Sequence, residues 1–341
     1  MSFFIGSTIA FLILVFFSAL FFLTSKSYSF VTQGIFRSNE IPKKIDKNIY
    51  ILSFGDAMFD RGVRAVMNNG KDPFELIQKD SARFAEDYDF KILNLEGPIT
   101  TSNIGQEKEY NFKFDPEIAV LLKENNYNLV NLANNHMLDY YRAGHKETVG
   151  ILDRNKIGHF GGLKIEDTYK IETVKGKKVA FVGIDESTFV FDINKFYSLI
   201  EKLKIENDYV VVNIHWGNEY DFLPSESQKN VGHSLVDSGA DIVYGHHPHV
   251  IQPIEIYKNR AIFYSLGNFI FDQVNSYSKK GIGVSAVLGE GKNTFNIFPF
   301  DIVGNRPKLF NASSTIEFCD KYLGDIKGSV GCYFEVIQLR P

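Results

Sequence analysis

Short apolar runs alternate with amphipathic segments along most of the chain from Ile49 onward. The runs have the length of buried strands, and Asp72-Pro73 and Asp115-Pro116 are typical of helix starts. This alternation predicts an α/β fold. The first six predicted strands are residues 49–54, 90–95, 129–133, 179–184, 209–214 and 241–244.

After Pro253 the pattern changes to hairpin-like runs at residues 254–257, 262–266, 282–288 and 333–339. Closely spaced short runs favour antiparallel pairing. We therefore predict that these four strands form a second, more antiparallel sheet.

The N-terminus differs from the rest of the chain, because residues 3–23 form an uncharged apolar run. As a helix the run would extend roughly 30 Å, which is the thickness of the bilayer hydrocarbon. The alternative is a cleavable signal peptide, whose apolar region is usually about 7–15 residues and ends in small residues. The apolar run is longer than that of a signal peptide, and the sequence TSKS at residues 24–27 is a poor cleavage site. We therefore predict that residues 1–24 are an uncleaved anchor.

Residues 25–48 are polar and basic and lack helical periodicity, so we interpret them as a tether to a domain at residues 49–341. Basic residues follow the predicted anchor, which by itself favours a cytoplasmic domain. Cys319 and Cys332 oppose this, because a disulfide between them would require an oxidising exterior. Two buried thiols are the alternative. We expect a single-pass protein of the cell membrane with an extracytoplasmic domain.

The formal net charge is only −4, and no run of Lys and Arg is present. A nucleic-acid partner is therefore not expected.

Polar residues cluster where five of the predicted strands end. Ligands of open α/β sheets bind at this carboxyl edge, so residues distant in sequence would meet there. Asp and Glu oxygens, an Asn amide oxygen and His nitrogens suit one or two ions of Mn, Fe or Zn. The predicted metal ligands are Asp56, Glu96, Asn135, His215, His247 and His249.

Each of these residues also has a structural interpretation when taken alone. Asp56 could cap a turn, Glu96 could be a solvated turn residue, and His215 could be a core histidine. Three imidazoles within residues 246–249 are rarely structural, and in extended backbone His247 and His249 would point the same way. The set as a whole therefore favours a metal site.

Six motifs in this order resemble the poly-γ-glutamate synthesis (CapA-type) family of the calcineurin-like metallophosphoesterase superfamily. The resemblance covers residues 49–290 and implies a sandwich of two mixed β-sheets flanked by helices. The motifs are residues 55–62 (GDAMFDRG), 94–98 (NLEGP), 131–139 (NLANNHMLD), 215–220 (HWGNEY), 245–255 (GHHPHVIQPIE) and 264–273 (YSLGNFIFDQ).

The resemblance also implies roles for single residues. His136 matches the non-ligating imidazole near the leaving group, and Asp139 would orient it. His246 takes the place of a glycine and is not expected to bind metal. Arg61 and Glu219 are expected to contact substrate, although Arg61 could instead form a surface salt bridge.

Met58 departs from the superfamily, which has a histidine ligand at this position. A thioether is a poor ligand for such metals, so one ion would bind more weakly or not at all.

The resemblance implies a membrane-anchored, metal-dependent hydrolase for synthesis or export of poly-γ-glutamate or a similar anionic polymer. The membrane subunits of a polyglutamate ligase would be its partners. One alternative is a non-catalytic scaffold or polymer-binding subunit, which Met58 favours. Another is a surface nucleotidase-like phosphoesterase, suggested by the spacing of Asn135, His136 and Asp139.

Overall fold

The computed structural model describes residues 47–80, 88–188, 192–323, 326, 329 and 331–337. The predicted anchor, residues 1–24, and nearly all of the predicted tether, residues 25–48, lie outside the described residues. Within the described ranges, none of the helices combines the length and the apolar character that crossing a bilayer requires.

The described chain alternates strands and helices as far as β8 and is then mostly strand. The strands are β1 Ile49–Ala57, β2 Phe90–Leu95, β3 Leu129–Asn131, β4 Gly158–Phe160, β5 Tyr169–Val174, β6 Lys177–Asp185, β7 Tyr209–His215, β8 Ile242–His246, β9 Ile254–Tyr257, β10 Arg260–Phe263, β11 Asn268–Ile270, β12 Lys280–Leu288, β13 Lys292–Val303, β14 Arg306–Leu309 and β15 Tyr333–Ile337. The α-helices are α1 Arg61–Asn68, α2 Glu75–Asp80, α3 Glu117–Glu124, α4 Tyr141–Arg154, α5 Ile193–Glu206, α6 Glu226–Asp237 and α7 Ala312–Leu323. Short 3₁₀ helices lie at Ile165–Asp167 and Ser276–Ser278.

The strands form two mixed sheets flanked by helices, which confirms the predicted layers. A nine-stranded sheet has the order β14-β13-β12-β1-β2-β3-β4, with β11 paired to β1 and β15 to β13. A six-stranded sheet has the order β5-β6-β7-β8-β10-β9.

The predicted division of strands between the sheets is wrong. The first three predicted strands lie in the nine-stranded sheet and the next three in the six-stranded sheet. Of the strands after Pro253, β9 and β10 extend the six-stranded sheet, and the others join the nine-stranded one, where Leu288 of β12 pairs with Ile49 of β1. Apolar periodicity identifies a buried strand but carries no information about such long-range pairing.

Alternating side chains explain the layers. In β7, Tyr209 and Val211 enter the core between the two sheets, whereas Val210 and Val212 enter a core on the other face. The period of two in a strand requires this division. Buried residues of α1–α4 cover the outer face of the nine-stranded sheet, and those of α5 and α6 cover the outer face of the six-stranded sheet.

Cys319 of α7 and Cys332, just before β15, form a disulfide, and their Cα atoms are 5.1 Å apart. Both side chains are buried in the core between the sheets. Of the two alternatives that the sequence leaves open, the structure has the disulfide.

Candidate metal centre

Asp56 lies near the end of β1, beside the segment that joins β10 to β11. Gly55 allows this close contact, because a Cβ atom there would overlap the carbonyl oxygen of Gly267. The Asp56 amide donates to that same carbonyl at 3.1 Å. The close contact places the fully buried Asp56 carboxylate at the carboxyl edge of the sheet.

Hydrogen bonds and imidazoles surround the Asp56 carboxylate. Asn94 Nδ2 donates to Oδ1 at 2.8 Å, and the His247 amide donates to Oδ2 at 3.2 Å. Burial would raise the pKa of Asp56, but His246 and His249, each with Nδ1 3.4 Å from the carboxylate, hold it well below its usual range. Asp56 is therefore a carboxylate anion.

Glu96 follows β2 and is fully buried, yet neither of its carboxylate oxygens has a hydrogen-bond partner. Its Oε1 lies 3.6 Å from His249 Nε2 and 4.0 Å from His136 Nε2. Burial, reinforced by the charge of Asp56, raises the pKa of Glu96 well above its ordinary value. Buried carboxylate oxygens without partners are unfavourable unless a proton or a cation satisfies them.

Two groups of side chains could hold an ion. Ligand atoms of Asp56, Glu96 and His249 lie within 4.8 Å of one another, and so do those of Glu219, His247 and His249. Two carboxylates and an imidazole are donors that Mn²⁺, Fe²⁺ and Zn²⁺ accept. With the unpartnered oxygens of Glu96, this donor set fits a divalent metal.

His249 has one nitrogen left for such an ion. Its Nδ1 lies 2.8 Å from Asn268 Oδ1, which leaves Nε2 towards Glu96. Burial would lower the pKa of His249, but the Glu96 and Asp56 carboxylates outweigh it and raise the pKa to about 9. An ion would have to displace that proton.

The remaining predicted ligands gather beside this group. His215 ends β7, and its Nε2 lies 3.0 Å from Asn135 Oδ1. Its ring centroid is 4.6 Å from that of His247. Burial lowers the pKa of His215 well below its ordinary value and that of His247 to about 4, so both imidazoles are neutral, as metal ligands must be.

The predicted extended backbone at His247 and His249 is wrong. Both residues have positive φ values, 97° and 57°. Backbone of this kind is unfavourable for residues with a Cβ atom and persists where surrounding contacts enforce it. Here the His247 amide is held by Asp56, and the His249 ring by Asn268.

His136 and Asp139 form a second buried unit. His136 Nδ1 lies 2.7 Å from Asp139 Oδ2, and the His136 ring stacks on Phe112 with centroids 4.0 Å apart. The Asp139 carboxylate also accepts from the Phe112 amide at 2.6 Å and forms an ion pair with Lys108. Burial lowers the pKa of His136, although Asp139 opposes the shift.

Arg61 forms an ion pair with Asp272, as the salt-bridge alternative requires, and its guanidinium carbon lies 4.8 Å from the centre of the Phe112 ring. Met58 is fully buried in the core over the outer face of the nine-stranded sheet. Its sulfur accepts from the Asp60 amide at 3.0 Å. The Met58 thioether is thus already engaged by the backbone.

Sequence reasoning missed several residues that hold this centre. His246 Nε2 contacts Asn213 Oδ1 at 3.1 Å, and Asn94 bridges Asp56 to Asn131. Asn94 lies in the motif at residues 94–98, which could have indicated it. Lys108 lies in an irregular loop with no sequence signal.

Comparisons with known proteins identify the family of the chain. The sequence matches the family described as "Bacterial capsule synthesis protein PGA_cap" over residues 50–273. The chain belongs to this family, the poly-γ-glutamate synthesis (CapA-type) family. It is 36% identical over 234 residues to the PGA biosynthesis protein CapA of Bacillus subtilis (strain 168), covering 63% of this chain and 62% of that protein.

A second relative is the capsule biosynthesis protein CapA of Bacillus anthracis, which is 31% identical over 280 residues, covering 74% of this chain and 67% of that protein. The chain thus spans about two thirds of the length of these relatives. Among solved structures, a hypothetical protein from Thermus thermophilus is similar with a TM-score of 0.45 and 20% identity, over 77% of this chain and 98% of that one.

Proposed function

We propose that this protein is a membrane-anchored, metal-dependent hydrolase for the synthesis or export of poly-γ-glutamate or a similar anionic capsule polymer. Family membership and the names of the two CapA relatives support the pathway. The observation that carries the chemistry is the buried Glu96 carboxylate, which has no hydrogen-bond partner and faces Asp56 and His249.

We propose Asp56, Glu96 and His249 as ligands, with His215, His247 and Asn135 available to a second ion. A bound ion would act as a Lewis acid and lower the pKa of a water molecule. The chain itself holds these side chains in place, since Asn94 fixes Asp56 and Asn268 fixes His249. Such outer partners keep the ligands correctly oriented.

His136 would donate a proton to the leaving group from Nε2 in its doubly protonated form, which the Asp139 carboxylate favours and burial opposes. The Asp139 carboxylate accepts the Nδ1 proton and fixes the ring, and Nε2 faces the space beside Glu96. Stacking on Phe112 limits rotation of the ring and keeps water from that face. The His136–Asp139 pair would thus supply acid catalysis beside the metal centre.

An anionic substrate could be recognised by Arg61. Its guanidinium lies over the Phe112 ring, and the His136 ring stacks on the same Phe112. The positive charge of Arg61 is therefore close to His136, the proposed proton donor. Guanidinium groups bind carboxylates and phosphates in a bidentate manner. A carboxylate of poly-γ-glutamate could bind Arg61 in this way if it replaced Asp272 as the partner of the guanidinium.

Membrane attachment through the apolar residues 3–23 remains part of the proposal. The Cys319–Cys332 disulfide supports an extracytoplasmic domain, because disulfides persist in oxidising compartments. We propose the membrane subunits of a polyglutamate ligase as partners.

A non-catalytic, metal-stabilised scaffold is the second candidate. Met58 favours it, because its buried thioether leaves the ion at Asp56 without an imidazole from that strand. Such a protein would bind metal and polymer and would not hydrolyse either γ-glutamyl bonds or phosphoesters.

The test combines metal analysis of the full chain in detergent with hydrolysis assays on poly-γ-glutamate and on phosphoesters. We expect bound Mn, Fe or Zn, and turnover that His136→Ala reduces at least ~100-fold while the metal stays bound. His159→Ala is the matched control, since that histidine pairs with the exposed Asp153. Metal without turnover would favour the scaffold, and a protein that binds no metal would contradict both.

A further inference from the structure

We infer that Glu219 is a metal ligand rather than a substrate contact, and that it binds an ion together with His247 and His249. This inference rests on the proposed metal centre, because His249 belongs to both groups of candidate ligands. A ligand atom of Glu219 lies within 4.8 Å of ligand atoms of both His247 and His249.

Backbone hydrogen bonds fix the segment that carries Glu219 alongside the two histidines. The Trp216 amide donates to the carbonyl of His246 at 3.1 Å, and the Tyr220 amide donates to the carbonyl of Pro248 at 2.8 Å. Between them, Gly217 has a φ of 77° and Gln228 fills the space that a side chain would need. Backbone hydrogen bonds on both sides of Glu219 therefore hold it beside His247 and His249.

A chain of hydrogen bonds links Tyr220, the neighbour of Glu219 in the sequence, to His249. Burial and the nearby Glu219 carboxylate raise the pKa of Tyr220. Gln273 Nε2 donates to the Tyr220 oxygen at 3.2 Å, and Asn268 Nδ2 donates to Gln273 Oε1 at 3.1 Å. Asn268 Oδ1 in turn lies 2.8 Å from His249 Nδ1.

This chain fixes Tyr220, and with it the backbone beside Glu219, relative to the His249 ring through side chains that bind no metal themselves. Metal sites use such outer partners to set the orientation of their ligands. If Glu219 only contacted substrate, its position would not need to be fixed relative to the His249 ring.

Unsatisfied buried atoms give an independent reason to place a cation here. His247 is nine-tenths buried, and its Nδ1 has no partner. Both oxygens of Glu96 are also unpartnered, and Glu96 Oε1 lies 3.6 Å from Nε2 of His249, the histidine that both groups of candidate ligands share. Buried polar atoms without partners are unfavourable until a cation satisfies them. Since Glu219 is exposed, it would be the ligand on the solvent side of that ion.

Mn²⁺ titration of the full chain in detergent, followed by calorimetry and by electron paramagnetic resonance, tests the assignment. We expect Glu219→Gln to weaken Mn²⁺ binding about tenfold or more, and Tyr220→Phe to weaken it by up to about tenfold. Asp221→Asn is the matched control, because it removes the same charge from the same loop and should bind Mn²⁺ like the unchanged protein.

Glu219→Gln that binds Mn²⁺ as tightly as the unchanged protein would overturn the assignment and leave the proposed metal centre intact. Absence of Mn²⁺ binding by the unchanged protein would overturn both. Equal weakening in Glu219→Gln and Asp221→Asn would also overturn it, since the effect would then be one of overall charge.

Discussion

Glu96 and Asp139 approach His136 from opposite sides, and both carboxylates are fully buried. Asp139 is satisfied by the protein, because Lys108, the Phe112 amide and His136 all contact it. Glu96 has no hydrogen-bond partner on either oxygen. On the Asp139 side of His136, the protein itself supplies the partners of the carboxylate. On the Glu96 side, a cation would have to supply them.

The largest expected effect comes from Glu96→Gln. We expect Mn²⁺ affinity to fall at least ~100-fold, because a neutral amide replaces the buried anion. The metal-free protein should lose less stability than in Asp139→Ala, because the Glu96 carboxylate forms no hydrogen bond and only faces His249 at 3.6 Å. Mn²⁺ titration, and denaturant unfolding with a chelator present, would measure the two effects. Retained affinity would remove Glu96 from the metal centre.

Asp139→Ala should give the opposite result. It leaves the buried Phe112 amide and the His136 ring without their acceptor, so we expect a loss of about 2 kcal/mol in unfolding free energy with metal binding retained. Asp153→Ala, which breaks the exposed carboxylate–imidazole pair with His159, is the control and should cost less than about 1 kcal/mol. Equal losses in the two variants would contradict the distinction.

The pH dependence of stability should differ between the groups of the site, because the lowered pKa values of His215 and His247 act in the same direction as that of His136 and against those of His249 and Glu96. In the metal-free protein the pKa of His249 is raised to about 9. Its contribution to the free energy of unfolding is therefore complete below about pH 6.5 and is lost as the pH rises towards 9. The raised pKa of Glu96 acts in the same direction. The lowered pKa of His136 has the opposite sign, because its contribution is lost as the pH falls below about 6.5.

Metal affinity should rise over the range in which His249 and Glu96 lose their protons, because the ion competes with both protons. Unfolding in denaturant between pH 6 and 9, with chelator and then with saturating Mn²⁺, would separate the two effects. A chelated protein whose stability increases throughout this range would disagree with the raised pKa of His249.

Lys108→Met should have the smallest effect. Lys108 is partly exposed, so we expect a loss of about 1 kcal/mol or less. Its positive charge lowers the pKa of His136, and its removal should move that pKa upward. An NMR titration of the chelated protein would detect the shift, with Lys113→Met as the control. An unchanged His136 pKa would mean that the charge of Lys108 does not reach the ring.

Apolar runs predicted ten of the fifteen strands in the described residues and missed β4, β5, β11, β13 and β14. The missed strands are short or carry polar residues and proline among their apolar ones, as β13 does. Apolar runs could not assign strands to sheets, since β3 and β6 are similar apolar runs and only pairing with distant partners distinguishes them. Local pattern describes one strand at a time, and pairing depends on the whole chain.

The candidate centre followed from the same logic up to a point. Strand ends bring polar residues together, and the structure does place Asp56, Glu96 and His249 within reach of one ion. The left-handed backbone at His249 and the contacts of Lys108 come from loops whose paths depend on tertiary contacts. No periodicity in the sequence carries that information.

The candidate centre joins the two sheets, because Asp56 belongs to the nine-stranded sheet and His215 to the six-stranded one. An ion bound there would be lost on unfolding, so each tenfold rise in its free concentration above the dissociation constant would add about 1.4 kcal/mol to folding. The resistance of the protein to proteases would then increase with the free concentration of the ion. Metal starvation would thus shorten the lifetime of this protein as well as stop the proposed hydrolysis.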